Sequence, residues 1–274
     1  MTAPGGRGGG AFRDHFSSVA AGYAAYRPRY PDALFTYLAG LPARRVLAWD
    51  CACGSGQATL GLAEHFARVI GTDASAAQLA QAVPHPRIEY RVALAERSGL
   101  SSASVDLVTV AQALHWIDPE KFYVEVRRVL APAGAGLLAA WRYPNARLEN
   151  PGLDDVLQRF YRDTVGPYWP PGRELAETGY RTLPFPFDEL TPPPPAFEMT
   201  AEWTLDELLG YVGTWSATAR YVAARGLDPR GALRAALTPH WGPSDTRQRV
   251  RWPLGLRVGR LRPSQEPADR AGGA

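Results

Sequence analysis

One stretch constrains this chain more than any other. Val46-Leu47-Ala48-Trp49 is a short apolar run, and it ends at Asp50-Cys51-Ala52-Cys53-Gly54-Ser55-Gly56 before an amphipathic helix begins. A buried strand, a small-residue turn and a helix N-terminus in succession present backbone N–H groups to a ligand. Gly54 and Gly56 let the main chain come close to it, because glycine has no Cβ. Taken alone, Gly-x-Gly fits an ordinary strand-to-helix connection equally well. The next segment narrows the choice. A helix with Ala58, Leu62 and Phe66 on one face leads to a second apolar strand at 67–71, which delivers Asp73. That is the interval at which nucleotide-binding α/β folds place an acid on a ribose diol, so Asp73 is the expected ribose ligand. The dinucleotide fingerprint fails at its third glycine, where Thr59 stands, and it does not ask for an acid such as Asp50.

The α/β alternation continues downstream. Residues 75–83 read as a short helix stopped by Pro84, and residues 88–92 as a third strand, followed by Ala95-Glu96. Residues 105–110 are apolar except for Asp106 and Thr109, as a central parallel strand should be. Asp118 and Pro119 are good N-cap and first-turn residues for a helix at 119–130, and residues 136–141 form the next strand. This order predicts a doubly wound parallel sheet, with the ligand at the carboxyl ends of its strands. Upstream, residues 1–10 are a glycine-rich leader expected to be disordered, and 11–44 a helical segment bent at Pro28 and Pro31, with its second helix at 32–39. The core spans 45–141. Beyond it the periodicity weakens and prolines gather, so 142–248 is expected to be an insertion with its own structure: helices at 154–164, 173–178, 205–212 and 231–237, and a strand at 197–204. Residues 249–262 read as a terminal strand in which Pro253 implies a bulge or an edge, and 263–274 as a tail.

The residues Asp50-x-Ala52-x-Gly54-x-Gly56, Gly71-Thr72-Asp73, Ala95-Glu96 and Val105-Asp106-Leu107-Val108, leading into Ala111-Gln112-Ala113-Leu114-His115-Trp116, resemble a class I S-adenosylmethionine-dependent methyltransferase. The nearest likeness is to small-molecule enzymes of the trans-aconitate type, and it covers most of the chain. Two positions depart from the pattern: Ala52 replaces the usual first glycine, and Leu94 stands where many relatives carry an acid for the adenine amino group. The resemblance implies a Rossmann-like seven-stranded sheet, mostly parallel with an antiparallel terminal strand, and a mainly helical cap. It implies S-adenosyl-L-methionine as cofactor, held by Asp50, Ala52, Gly54, Gly56, Gln57, Asp73, Ala74, Ala95, Glu96 and Gln112, with Arg27 as partner of its carboxylate. Asp50 would serve the cofactor's ammonium group, directly or through water, and Ala95 would act through its backbone N–H. The acceptor would be a small molecule methylated at a carboxylate or hydroxyl, facing Trp116, Trp141, Arg142, Trp215 and Arg220.

His115 and Gln112 follow the central strand and are the candidate catalytic residues. A histidine there is either a general base or a residue that packs beside Trp116. A carboxylate acceptor is already ionised at neutral pH and needs positioning rather than a base. Two rival readings stay open: a protein of this fold that binds the cofactor without methyl transfer, and a nicotinamide-dependent oxidoreductase.

Composition excludes other classes. Across 274 residues, 46% are hydrophobic and 21% charged, which are globular values. The net charge is only +3 and the arginines are scattered, which argues against a nucleic-acid partner. Cys51 and Cys53 are one residue apart, the wrong spacing for a redox pair or a four-ligand zinc site, so they are expected to be packing residues and no metal is expected. No apolar run approaches the ~18 residues of a membrane span, and the start lacks a signal-peptide core, so no membrane partner and a cytoplasmic location are expected.

Overall fold

A computed structural model of the chain describes residues 28–132, 135–170 and 177–261. The expected leader, the part of the segment 11–44 before Pro28 with Arg27, most of the helix at 173–178 and the tail from 263 lie outside these residues.

Helix α1 (Asp32–Ala39) starts at Pro31, the last proline of the bend, and buries Leu34, Phe35, Leu38 and Ala39. Strand β1 (Leu47–Cys51), helix α2 (Gln57–Ala63) and strand β2 (Arg68–Asp73) follow as the first crossover unit. α1 rests on α2 at Gly61, where an added Cβ would lie 2.2 Å from the Phe35 ring. Helix α3 (Ala76–Leu79) is shorter than the 75–83 expected. None of its residues is buried and Val83 is exposed, so no packed face carries the helix to the proline. Strand β3 (Ile88–Val92) falls where it was expected. Strand β4 (Leu107–Ala111) runs through a 3-10 turn at Leu114–Trp116 into α4 (Pro119–Val129), whose N-cap Asp118 accepts the Lys121 N–H, and then to β5 (Leu137–Arg142).

These strands are parallel in the order β3-β2-β1-β4-β5. The chain winds one way from β1 to β3 and the other way from β4 to β5. The reversal puts the topological switch point, and with it the natural ligand crevice, at the carboxyl ends of β1 and β4. The two polar residues of the central strand region are both tied to β1. Buried Asp106 accepts the Val46 and Leu47 N–H groups at 2.8 and 3.0 Å, and Thr109 donates to Asp50 at 2.8 Å.

Residues 142–261 form the rest. A two-residue strand β6 (Arg147–Leu148) precedes α5 (Pro151–Arg159), which is capped by Asn150 and unwinds into a π turn at Phe160–Thr164. Strands β7 (Asp188–Glu189) and β8 (Phe197–Trp203) are followed by α6 (Leu205–Gly213), with a Thr204/Glu207 capping box, by α7 (Ser216–Arg225) and by α8 (Arg230–Trp241). The last strand, β9 (Gln248–Arg260), is antiparallel to all its partners. Its second half lies between β5 and β7, which makes seven strands with the core, while its first half pairs with β8 and β6 and brings the whole to nine. Pro253 sits opposite Glu198 of β8, where the strand on its other side is broken between Arg142 and Arg147. The missing N–H therefore falls where β9 has one neighbour only.

The boundary expected at 248/249 is not where the packing divides. Val250 and Trp252 from the first half of β9 belong to a cluster with α5, α6, α8 and β8, whereas Val258 belongs to the core under α1 and α2. Tyr180, Phe185 and Phe187, expected in the insertion, pack into the core beside α4 with Phe122, Tyr123 and Leu114.

Candidate active site

The turn after β1 is built from left-handed backbone. Ala52, Gly54 and Gly56 have φ of 53°, 56° and 84°. The position where Ala52 replaces the usual glycine is therefore one where a Cβ is strained. At Gly56 the constraint is also steric, because an added Cβ would lie 2.3 Å from the Tyr90 hydroxyl. β3 thus seals one side of the turn with an aromatic ring.

Two carboxylates organise the crevice, and they sit differently. Asp73, half-buried, accepts the Gly54 N–H and the Ser75 N–H, each at 2.8 Å, and so ties the β1 turn to the β2 turn. With four lone-pair sites on a carboxylate, these two bonds leave acceptor capacity for a diol. Asp50 is fully buried. It accepts the Thr59 hydroxyl at 2.6 Å and the Thr109 hydroxyl at 2.8 Å, which fastens β1 to α2 and β4. Burial pushes its carboxyl from 3.8 up to about 6, against the two threonine bonds that hold it down, and the nearby Asp73 charge adds to the rise. Gln57 donates through Nε2 to the Pro28 carbonyl at 3.0 Å, so the chain just after Arg27 crosses the start of α2. Cys51 is fully buried and Cys53 half-buried; burial raises both thiols well above their usual range, as expected of packing residues.

Beyond β2, an open cavity of about 420 Å³ is lined by Ala74, Val92, Leu94, Arg97 and neighbouring backbone. Leu94 is 47% exposed, and no carboxylate lines this space. Ala95, like Ala52, packs against the core, and Glu96 accepts the Asp118 N–H at 3.2 Å, joining this turn to the start of α4.

At the end of β4, Gln112 has a φ of 59°, and its side-chain Nε2 is buried without a hydrogen-bond partner among the described residues. A strained non-glycine backbone with an orphaned buried donor at a switch point is what a ligand-facing residue would show. His115 packs against Trp116 in a tilted contact with centroids 4.7 Å apart, and its Nδ1 lies 2.9 Å from the Tyr180 hydroxyl. Tyr180 is fully buried with a φ of 61°, and the guanidinium of buried Arg142 lies 6.0 Å from its ring centroid. Arg142 also donates to the Tyr143 carbonyl at 2.7 Å. Tyr180 was missed in the sequence. Its one signal was Gly179 just before it, which marks a turn without saying where the side chain goes.

The side chains of the other expected acceptor-side residues lie in other surroundings. Trp141 is fully buried in the core, its ring edge-on to Tyr30 at 5.6 Å. Trp215 is packed among Phe160, Tyr161, Trp169 and Tyr211 in the helical body. Arg220 is exposed on α7. The Trp141 main chain still meets the group, its carbonyl accepting the Gln112 N–H at 2.9 Å. Trp116, 44% exposed, stands at the rim.

A glycine-lined turn at the switch point, a ribose-type acid after β2 and an orphaned amide after β4 fit S-adenosylmethionine, with Asp50, Asp73, Gly54 and Gln112 as the residues that would hold it. Together with the sheet order and the reversed last strand, they define a class I S-adenosylmethionine-dependent methyltransferase. The comparisons with known proteins agree, and the chain belongs to that family. Residues 49–138 match the methyltransferase domain model. A Dictyostelium discoideum protein described as a methyltransferase is 32% identical over 237 residues, covering 85% of this chain and 89% of its own. A structure assigned as a type II methyltransferase of Anaeromyxobacter dehalogenans superposes with a TM-score of 0.81 at 46% identity, covering 87% of this chain and 100% of that one. An uncharacterised methyltransferase of Mycobacterium tuberculosis is 38% identical over 136 residues, 48% of this chain and 54% of its own. Membership of this family sets aside the nicotinamide oxidoreductase reading. Among the described residues, no helix is long and apolar enough to cross a membrane.

Proposed function

We propose that the enzyme methylates a small acceptor at a carboxylate oxygen, as the resemblance to the trans-aconitate group implies. The observation that carries this reading is the buried guanidinium of Arg142, the last residue of β5, beside the ring of Tyr180, whose hydroxyl meets His115. A buried guanidinium there would stabilise a carboxylate placed within its reach. Bound S-adenosylmethionine supplies an electrophilic methyl group. The chain's own work is to hold the acceptor oxygen about 3 Å from that carbon, in line, with water excluded. Asp50 would serve the cofactor's ammonium group directly or through water, Asp73 the ribose hydroxyls, the Ala95 N–H the adenine edge, and Arg27 its carboxylate. Arg142 holds the acceptor's charge, His115 and Gln112 orient it, and Trp116 covers the rim. The helical body of α5 to α8 acts as the cap that selects the acceptor.

The test is S-adenosylhomocysteine release against a panel of mono-, di- and tricarboxylic acids, phenols and amines. Turnover concentrated in the carboxylic acids is the expected result. Turnover of phenols or amines alone would overturn it in favour of a hydroxyl or amine acceptor, for which His115 would have to supply the ~10²–10⁴-fold of a general base.

A further inference from the structure

Tyr180 is held in a way that packing alone does not require. Gly179 and Tyr180 are both left-handed, with φ of 65° and 61°, and a tyrosine in that region persists only where its surroundings over-determine it. The surroundings here are specific. Arg257 of β9 donates through Nη1 to the Tyr180 carbonyl at 2.8 Å and to the Leu183 carbonyl at 2.9 Å. Its guanidinium also lies over the Phe185 ring and is paired with Glu189 of β7. The backbone is therefore fixed from the sheet, and the fully buried ring is left one direction, which ends with its hydroxyl on His115 Nδ1. A phenol is a better donor than acceptor, and the bare nitrogen of a neutral imidazole is a good acceptor, so the favourable sense of this bond is Tyr180 O–H to Nδ1.

We propose that Tyr180 is a positioning residue that holds His115 as its Nε2–H tautomer, which makes the imidazole a hydrogen-bond donor toward the acceptor's oxygen rather than a base that takes its proton. The proposal rests on the reading of His115 as a residue that faces the acceptor. It deepens that reading, because a donor suits an ionised carboxylate and a bare Nε2 would repel it.

The test is long-range ¹⁵N–¹H correlation spectroscopy of the full chain with S-adenosylhomocysteine bound, the His115 signal being assigned with His115→Ala. The expected result is the Nε2–H pattern in the wild type and a mixture of both tautomers in Tyr180→Phe. A wild type in the Nδ1–H form overturns the proposal without any need for the variant to fold. A folded Tyr180→Phe with an unchanged tautomer ratio overturns it as well. A His115 signal that does not respond to S-adenosylhomocysteine would overturn the acceptor-facing role. The tautomer pattern is read independently of that response, so the two failures are told apart.

Discussion

Replacing Asp50 with asparagine should make the cofactor-free protein more stable and bind the cofactor more weakly, two consequences of one buried charge. An unfolded chain releases the Asp50 proton near 3.8, whereas burial raises the folded carboxyl to about 6. Between those values the folded state keeps a proton that the unfolded state has lost. Stability therefore falls as pH rises through the window, and the loss is complete above pH 6. One pH unit corresponds to ~1.4 kcal/mol, so ionised Asp50 costs the fold about 3 kcal/mol at pH 8. Asparagine carries no charge. Its oxygen can accept from one of Thr59 and Thr109, and its amide can donate to the other hydroxyl. Chemical denaturation of the cofactor-free protein should show Asp50→Asn as stable as wild type near pH 4 and more stable by up to about 3 kcal/mol at pH 8. Calorimetry with S-adenosylhomocysteine should show the opposite sign, a loss on the order of 1.5–3 kcal/mol for a hydrogen bond to a charged group. Wild-type affinity should also weaken below pH 6 as the carboxylate protonates. Denaturation curves for the two proteins that stay parallel from pH 4 to pH 8 would refute the argument.

Other substitutions probe the same crevice. Ala52→Gly should raise stability by about 1 kcal/mol in thermal unfolding, since left-handed backbone costs a non-glycine residue roughly 1–2 kcal/mol and added glycine freedom returns part of that; an unchanged melting temperature would mean that the turn does not strain Ala52. Asp73→Ala should weaken S-adenosylhomocysteine binding by about 1.5–3 kcal/mol in calorimetry and loosen the link between the β1 and β2 turns. Unchanged affinity with an intact fold would remove Asp73 from the site. Gly56→Ala should destabilise the protein by more than 1 kcal/mol or so, because its Cβ meets both an unfavourable φ and the Tyr90 hydroxyl. Tyr90→Phe should recover the steric part of that loss, and no recovery would put the whole effect in the backbone.

How much of the fold and the site was legible in the sequence depended on whether a residue acts through its own segment. The apolar runs at β1, β2, β3 and β4 and the capped start of α4 carry local signals, and each lies within a few residues of where the pattern puts it. α7 was not foreseen, because only Ala217 and Thr218 of Ser216–Arg225 are buried and no apolar stripe marks it. Its readable sign was Gly226, which ends the helix with a φ of 69°. The acids of the crevice could be seen because they follow strands. That Asp50 is enclosed by Thr59 and Thr109 could not, since one of those partners is 59 residues away. Tyr180 was hidden for the same reason, being brought to His115 across 65 residues by contacts with β9. Aromatic residues such as Trp141 and Trp215 were picked by type, and type does not tell a pocket wall from a core.

Once the acceptor panel has supplied a substrate, the most direct test of catalysis by positioning is the pH profile of His115→Ala with that substrate. A loss in kcat/KM of less than about tenfold is expected, with the low-pH limb of the profile unchanged. A loss near a thousandfold with that limb abolished would make His115 the general base and contradict the account.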